Sequence, residues 1–291
     1  MMSLCLATMM IGADPYPYPS TPPLTPPYVA EKRLPSILHP KERMIAKVAD
    51  LALPGAGKPA PAESYLWQPS YSEDYCIRGP ARAYVPQPGD IVLSADGSKF
   101  WKLMHNLAGT SHPTHSMIVF AFPDGSMGIL EAGPHDTLKC RTLEALAHMH
   151  SYEEEGRVWV RRRAVPLTPE ESARLTEFAL CANMKQFAIG RLAKQLTLFR
   201  SRGPIRTAFV GKPHGLERES YFCSELICEA CVYAGLMDAS TTRPSATYPR
   251  DLFMDHSPNP YLNKHLKLAP CWDPPARWTS TLCPPPVERK R

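Results

Sequence analysis

The sequence predicts an α+β domain, and three observations carry that expectation. Helical and strand patterns follow one another irregularly between residues 86 and 256, without the repeating βαβ unit of a parallel sheet. Two strand patterns, 115–122 and 127–133, are joined by Pro123-Asp124-Gly125, a turn suited to antiparallel neighbours. Helical patterns beginning at Thr168 and near Cys223 carry apolar stripes that pack on a sheet.

Taken in order, residues 1–85 form a Pro-rich leader, largely extended or disordered, with one short helical candidate at Glu42 to Leu53. Within it Pro54-Gly55-Ala56-Gly57-Lys58-Pro59 superficially imitates a phosphate loop. It lacks the first glycine and has Pro59 where Ser or Thr is needed, so it is rejected. Pro88-Gly89-Asp90-Ile91-Val92-Leu93 is a turn entering a strand. Lys99 to Leu107 is helical, with Phe100, Leu103, Met104 and Leu107 on one stripe. After the 115–133 hairpin come a short helix, Thr142 to His150, and a strand, Gly156 to Ala164. Thr168-Pro169-Glu170-Glu171 is an N-cap with an acidic first turn, opening a helix to about Met184. A loosely basic segment, Ile189 to Arg206, leads to a helix from about Cys223 to Gly235, capped by Ser220. Residues 257–291 form a Pro-rich tail expected to wrap the surface.

Composition excludes several function classes. The 291 residues are 44% hydrophobic and 21% charged, which suits one large domain or two small ones with a real core. A formal charge of +5 is modest, and the runs Arg161-Arg162-Arg163 and Arg289-Lys290-Arg291 are expected to be solvated faces or tails, so no nucleic-acid partner is predicted. No stretch approaches the ~20 apolar residues of a membrane helix. The apolar N-terminus Met1 to Gly12 lacks a positive n-region and is short for a secretory signal, so both a cytoplasmic and an exported location stay open. Nine cysteines, odd in number and dispersed, do not form a disulfide framework. Cys181, Cys228 and Cys231 fall in apolar helical patterns, as small buried hydrophobes do.

One constellation carries chemistry. With Gly125 left-handed in a three-residue loop, Phe122 faces Ser126, Met117 faces Glu131 and His115 faces Gly133. His115 and Glu131 are then diagonal neighbours on one face, roughly 7–8 Å apart at the backbone, within reach of a long carboxylate. Gly133 leaves space above the ring. Cys223 stands in the first turn of its helix, where unpaired N–H groups and the dipole favour a thiolate and supply oxyanion donors. The roles that follow are Cys223 as nucleophile, His115 as general base and acid, and Glu131 as the group orienting the imidazole.

The bland alternative is a core cysteine, a structural histidine and a solvated carboxylate. His105, His112 and His214 also compete as the base, His115 being preferred because it opens a rigid strand. A metal reading rests on the C-x4-C-x2-C spacing of Cys223, Cys228 and Cys231. Those residues sit among good helix formers, where 223 and 228 point about 140° apart, so neither a metal nor a cofactor is expected.

Gly89-Asp90-Ile91, His115, Glu131, Cys223-Ser224-Glu225-Leu226 and Pro249-Arg250-Asp251-Leu252-Phe253 together resemble the permuted papain-like amidases of the YaeF/YiiX type, relatives of the NlpC cell-wall peptidases and of lecithin–retinol acyltransferase. The resemblance covers residues 88 to 254. It implies a permuted papain-like (NlpC-like) fold in which an antiparallel sheet packs against helices. It also implies a Cys223–His115–Glu131 triad and a thioester acyl-enzyme, formed on a small peptide, an N-acyl compound, a lipid-like substrate or cell-wall fragments. Two departures stand out. Met117 replaces the family's glycine two residues after the histidine, and Phe222 replaces the tyrosine directly before the cysteine, leaving Tyr221 one position back. The alternatives are a lipid acyltransferase or thioesterase with the same triad, for which Phe100, Met104, Met117 and Met127 supply an apolar pocket, and an inactive binding module. Asp90 and Glu225 are expected to be structural.

Overall fold

In the computed structural model, residues 64–69, 81–96, 110–133, 138–195, 197, 200–203 and 205–282 are described, all within the unit Ser36–Arg291. The expected helices at Glu42 to Leu53 and Lys99 to Leu107, the phosphate-loop imitation and His105 lie outside the described residues.

The protein is α+β, with a ten-stranded mixed sheet among the described residues. The strands are β1 (Tyr65–Pro69), β2 (Arg82–Ala83), β3 (Ile91–Asp96), β4 (His115–Ala121), β5 (Met127–Gly133), β6 (Lys139–Glu144), β7 (Gly156–Arg161), β8 (Gln186–Phe187), β9 (Ser220–Tyr221) and β10 (Ala276–Thr279). They lie in the order β2-β1-β10-β7-β3-β4-β5-β6-β8-β9, and every pair is antiparallel except β8–β9. The helices are α1 (Ala145–Glu155), α2 (Pro169–Ala182), α3 (Ile189–Lys194), α4 (Arg206–Phe209), α5 (Cys223–Tyr233), α6 (Pro249–Met254) and α7 (Pro260–His265).

The central strands are buried on both faces, so they are apolar without alternation. Ile91, Leu93, Ile118, Phe120 and Leu130 pack against Leu175 and Phe178 of α2 and Leu226, Ile227 and Ala230 of α5. Val92, Met117, Val119, Ile129 and Val160 point the other way, onto Ala145, Met149 and Tyr152 of α1. Met117 is fully buried in this second layer, as core.

Local signals hold where they are local. Thr168 Oγ1 accepts the Glu171 N–H (3.2 Å) and the Glu171 carboxylate accepts the Thr168 N–H (2.8 Å), a complete capping box for α2. Gly125 is left-handed (φ 87°), and Phe122 N–H bonds Ser126 O at 2.8 Å. The short helix expected over 142–150 instead starts at Ala145 and runs to Glu155. Glu144 caps it by accepting from Leu146 N (3.1 Å) and Ala147 N (2.6 Å), which lets β6 continue to Glu144. Ser220 is not the cap of α5; it pairs in β9 with Gln186, and Phe222 precedes the helix.

Long-range pairing draws segments from outside residues 86–256 into the sheet. The sheet reaches beyond 86–256 at both ends, because β1 and β2 come from the leader and β10 from the tail. Rather than wrapping the surface, β10 lies between β1 and β7, with Trp278 fully buried against Leu66 and Val158. Burying such a side chain is worth on the order of 2–3 kcal/mol, and the extended backbone that the flanking prolines favour suits a strand. The Arg161-Arg162-Arg163 run is likewise no solvated face. Arg161 is fully buried and forks onto Asp255 (3.0 and 2.8 Å), while the Arg163 guanidinium lies over the Trp272 ring at 4.3 Å.

Candidate active site

The site forms at the end of the β4–β5 hairpin away from its turn, where His115 begins β4 and Gly133 ends β5. The hairpin register is the one the three-residue loop dictates, with Met117 opposite Glu131. His115 Nε2 lies 3.0 Å from Glu131 Oε2. A Cβ on Gly133 would stand 3.0 Å from His115 Cε1, so the space that glycine leaves is filled by the imidazole itself.

Cys223 is the first residue of α5 and half-buried. The helix ladder begins with Leu226 N–H to Phe222 O (2.9 Å), which leaves the N–H groups of Cys223, Ser224 and Glu225 ahead of the first intrahelical bond. Cys223 lies near enough to the His115 ring to act on its titration, through hydrogen bonding and negative charge.

Burial works against charge on His115, but hydrogen bonds and negative charge from Cys223 and Glu131 outweigh it and lift the imidazole pKa from 6.5 to about 10. Burial likewise favours protonation of Glu131, yet the hydrogen bond from His115 and the nearness of the His115 and His148 rings hold this carboxyl well below the usual carboxylate range. At neutral pH the imidazole therefore carries a proton and the carboxylate does not.

Two residues at Glu131 escape sequence reading. Tyr152 donates its hydroxyl to Glu131 Oε2 (2.9 Å), and His148 Nε2 lies 3.0 Å from Oε1, at an angle poor for a hydrogen bond, so that contact is chiefly electrostatic. Their signal was an i, i+4 spacing on one helix face, hidden because the helix expected to end at His150 runs on to Glu155. Of the competing histidines, His214 is exposed, and its main-chain N–H bonds the Glu229 carboxylate (2.9 and 3.0 Å). The Tyr221 hydroxyl donates to Gly215 O (2.7 Å), which ties it away from an oxyanion role.

Asp90 and Glu225 both sit in structural settings. Asp90 accepts from Tyr84 Oη (2.8 Å), Gln87 N (3.2 Å) and Arg163 N (2.6 Å). Glu225, fully buried behind the first turn of α5, meets Arg191 (2.9 Å), Arg218 (3.1 Å) and Ser245 Oγ (2.5 Å). Cys228 and Cys231 are fully buried along the continuous helix α5. Among the described residues no group of three or more His, Cys, Asp or Glu side chains is arranged to hold a metal ion, and no helix is long and apolar enough to cross a membrane.

No family model matches the chain, and no curated protein matches it. Among solved structures, one described as the metalloprotein yiiX from Escherichia coli O157:H7 (DUF1105) is similar, at 19% identity and a TM-score of 0.35, over 55% of this chain and 69% of that one. A likeness that loose carries no argument for the chemistry.

Proposed function

We propose that this protein is a cysteine-dependent hydrolase of amide bonds, peptide or N-acyl, on a permuted papain-like fold. The observation that supports this reading best is the chain of contacts from the Cys223 thiol through the His115 ring to a buried Glu131 carboxylate, at the start of a helix. The order His, Glu, Cys along the sequence, the reverse of papain, fits the permutation.

The chemistry follows from the positions. The Cys223 proton rests on His115, and the sulfur attacks the carbonyl carbon. The resulting oxyanion meets the unpaired N–H groups of the first turn of α5. As the tetrahedral species collapses, the C–N bond breaks and His115 gives its proton to the leaving amine. That leaves a thioester on Cys223 and a free amine. Water then adds to the thioester, losing a proton to His115, and collapse breaks the C–S bond, releasing the acid and leaving the Cys223 thiolate beside the protonated ring. Glu131 stays ionised throughout and holds the ring on its axis.

The test is alkylation of each cysteine by iodoacetamide against pH, mapped by mass spectrometry, with turnover measured on a panel of peptides and acyl-amides. Cys223 is expected to be alkylated faster than the other cysteines, and to lose that advantage in His115→Ala. Cys223→Ala should abolish both turnover and a mass adduct of the acyl group. Alkylation of Cys223 no faster than that of its neighbours, with or without His115, would refute the reading.

A further inference from the structure

Glu131 carries three contacts, and only one of them goes to the triad. The residue is nearly enclosed, at 4% exposure, and its side chain has three rotatable bonds. A buried carboxylate needs its lone pairs met, and an orienting group needs its rotamer held. Oε2 is shared between His115 Nε2 (3.0 Å) and Tyr152 Oη (2.9 Å), and Oε1 faces His148 Nε2 (3.0 Å). The Tyr152 ring also stacks on the His115 ring (5.5 Å between centroids, 18° between planes) and meets the His148 ring edge-on (5.0 Å, 86°). Four side chains thus lock one another, two from the hairpin and two from successive turns of α1.

We propose that Tyr152 and His148 are positioning residues that act through Glu131, holding its carboxylate and the His115 ring in the single arrangement in which the ring meets Cys223. This rests on the hydrolase reading above and adds α1 to its machinery. Tyr152 contributes at two points, since its hydroxyl fixes Oε2 while its ring face fixes the imidazole plane. His148 closes the remaining direction by placing a ring nitrogen at Oε1, so that the carboxylate cannot rotate away without abandoning two contacts at once.

The experiment is a double-mutant cycle read by the rate and pH profile of Cys223 alkylation, which needs no substrate. Tyr152→Phe keeps the stacked ring and removes one hydroxyl. His148→Leu removes the contact to Oε1, and His148→Gln restores an N–H donor there. Each is made alone and with Glu131→Ala. The expected result is a Cys223 alkylation rate at about pH 6 that falls about tenfold in Tyr152→Phe and in His148→Leu, recovers in part in His148→Gln, and changes less than about twofold when Glu131 is already alanine. Equal losses in both backgrounds would mean that the two residues merely support the fold, and no loss in the parent background would overturn the inference outright. Both results stand apart from failure of the hydrolase reading, which shows as indifference of Cys223 alkylation to His115→Ala.

Discussion

The two polar clusters that flank Cys223 are built to opposite ends. Behind the first turn of α5, Glu225 is fully buried between Arg191 and Arg218, with Ser245 completing its shell, and Arg218 reaches on to Glu229 (3.1 Å). Arginines stay charged at any pH the fold survives, so this cluster is a fixed anchor. At the end of the hairpin away from its turn Glu131 is nearly as enclosed, but its partners are two histidines and a tyrosine. A histidine's charge, unlike an arginine's, depends on its surroundings, and here the carboxylate helps hold the His115 ring protonated. One carboxylate braces the first turn of the Cys223 helix, and the other sets the charge of the histidine beside Cys223.

The largest expected effect breaks the anchor. Glu225→Ala removes the carboxylate that Arg191 and Arg218 share and should cost about 3–5 kcal/mol of unfolding free energy in urea, nearly independent of pH between 6 and 8. A loss below ~1 kcal/mol would remove the contrast between the clusters.

Glu131→Gln should act on reactivity more than on stability. It removes the anion that, with Cys223, raises His115, so the imidazole midpoint followed by NMR should fall from about 10 toward 6.5. The sign for stability follows from both partners. The raised His115 contributes stability fully present below ~6.5 and lost as pH rises through about 10. The depressed Glu131 contributes stability present above its ordinary ~4.5 and lost as pH falls through its lower folded value. The stability difference between parent and variant should therefore be widest at about pH 4.5–6.5. A difference that is flat from pH 4 to 10 would show the pair is not coupled as described.

Asp90 sharpens the comparison as a buried carboxylate with no cation in hydrogen-bonding contact. It accepts from Tyr84 and two main-chain N–H groups, and burial pushes its pKa up to about 7 against those bonds. A raised acid holds its proton in the folded state, so its contribution is present below ~3.8 and lost as pH rises through about 7. Asp90→Asn should be more destabilising at pH 4 than at pH 8, by a difference on the order of 1–3 kcal/mol in chemical denaturation. The reverse order would place the charge on Asp90 throughout.

The smallest effect is Gly133→Ala. Its new Cβ, 3.0 Å from His115 Cε1, obliges the ring to shift by a few tenths of an ångström. Stability should change by less than ~1 kcal/mol while Cys223 alkylation slows about threefold, separating ring placement from folding. Unaltered alkylation would mean the ring has slack that the cluster around Glu131 denies it.

What the sequence determined by itself was whatever depends on neighbours in the chain. The Pro123-Asp124-Gly125 turn set the register that brings His115 to Glu131, because loop length and one left-handed glycine decide hairpin pairing. Thr168 and Glu171 capped α2, and Cys223 began α5, because helix starts are written in a few adjacent residues. Tertiary structure alone decided which distant segments share an environment. Arg161 could not be read as buried without Asp255, nor β10 as an interior strand without β1 and β7 on either side of it. The same holds at the site, where His148 and Tyr152 gain their meaning from a carboxylate on another layer. Burial and charge pairing are properties of contacts between remote residues, and local propensity carries no record of them.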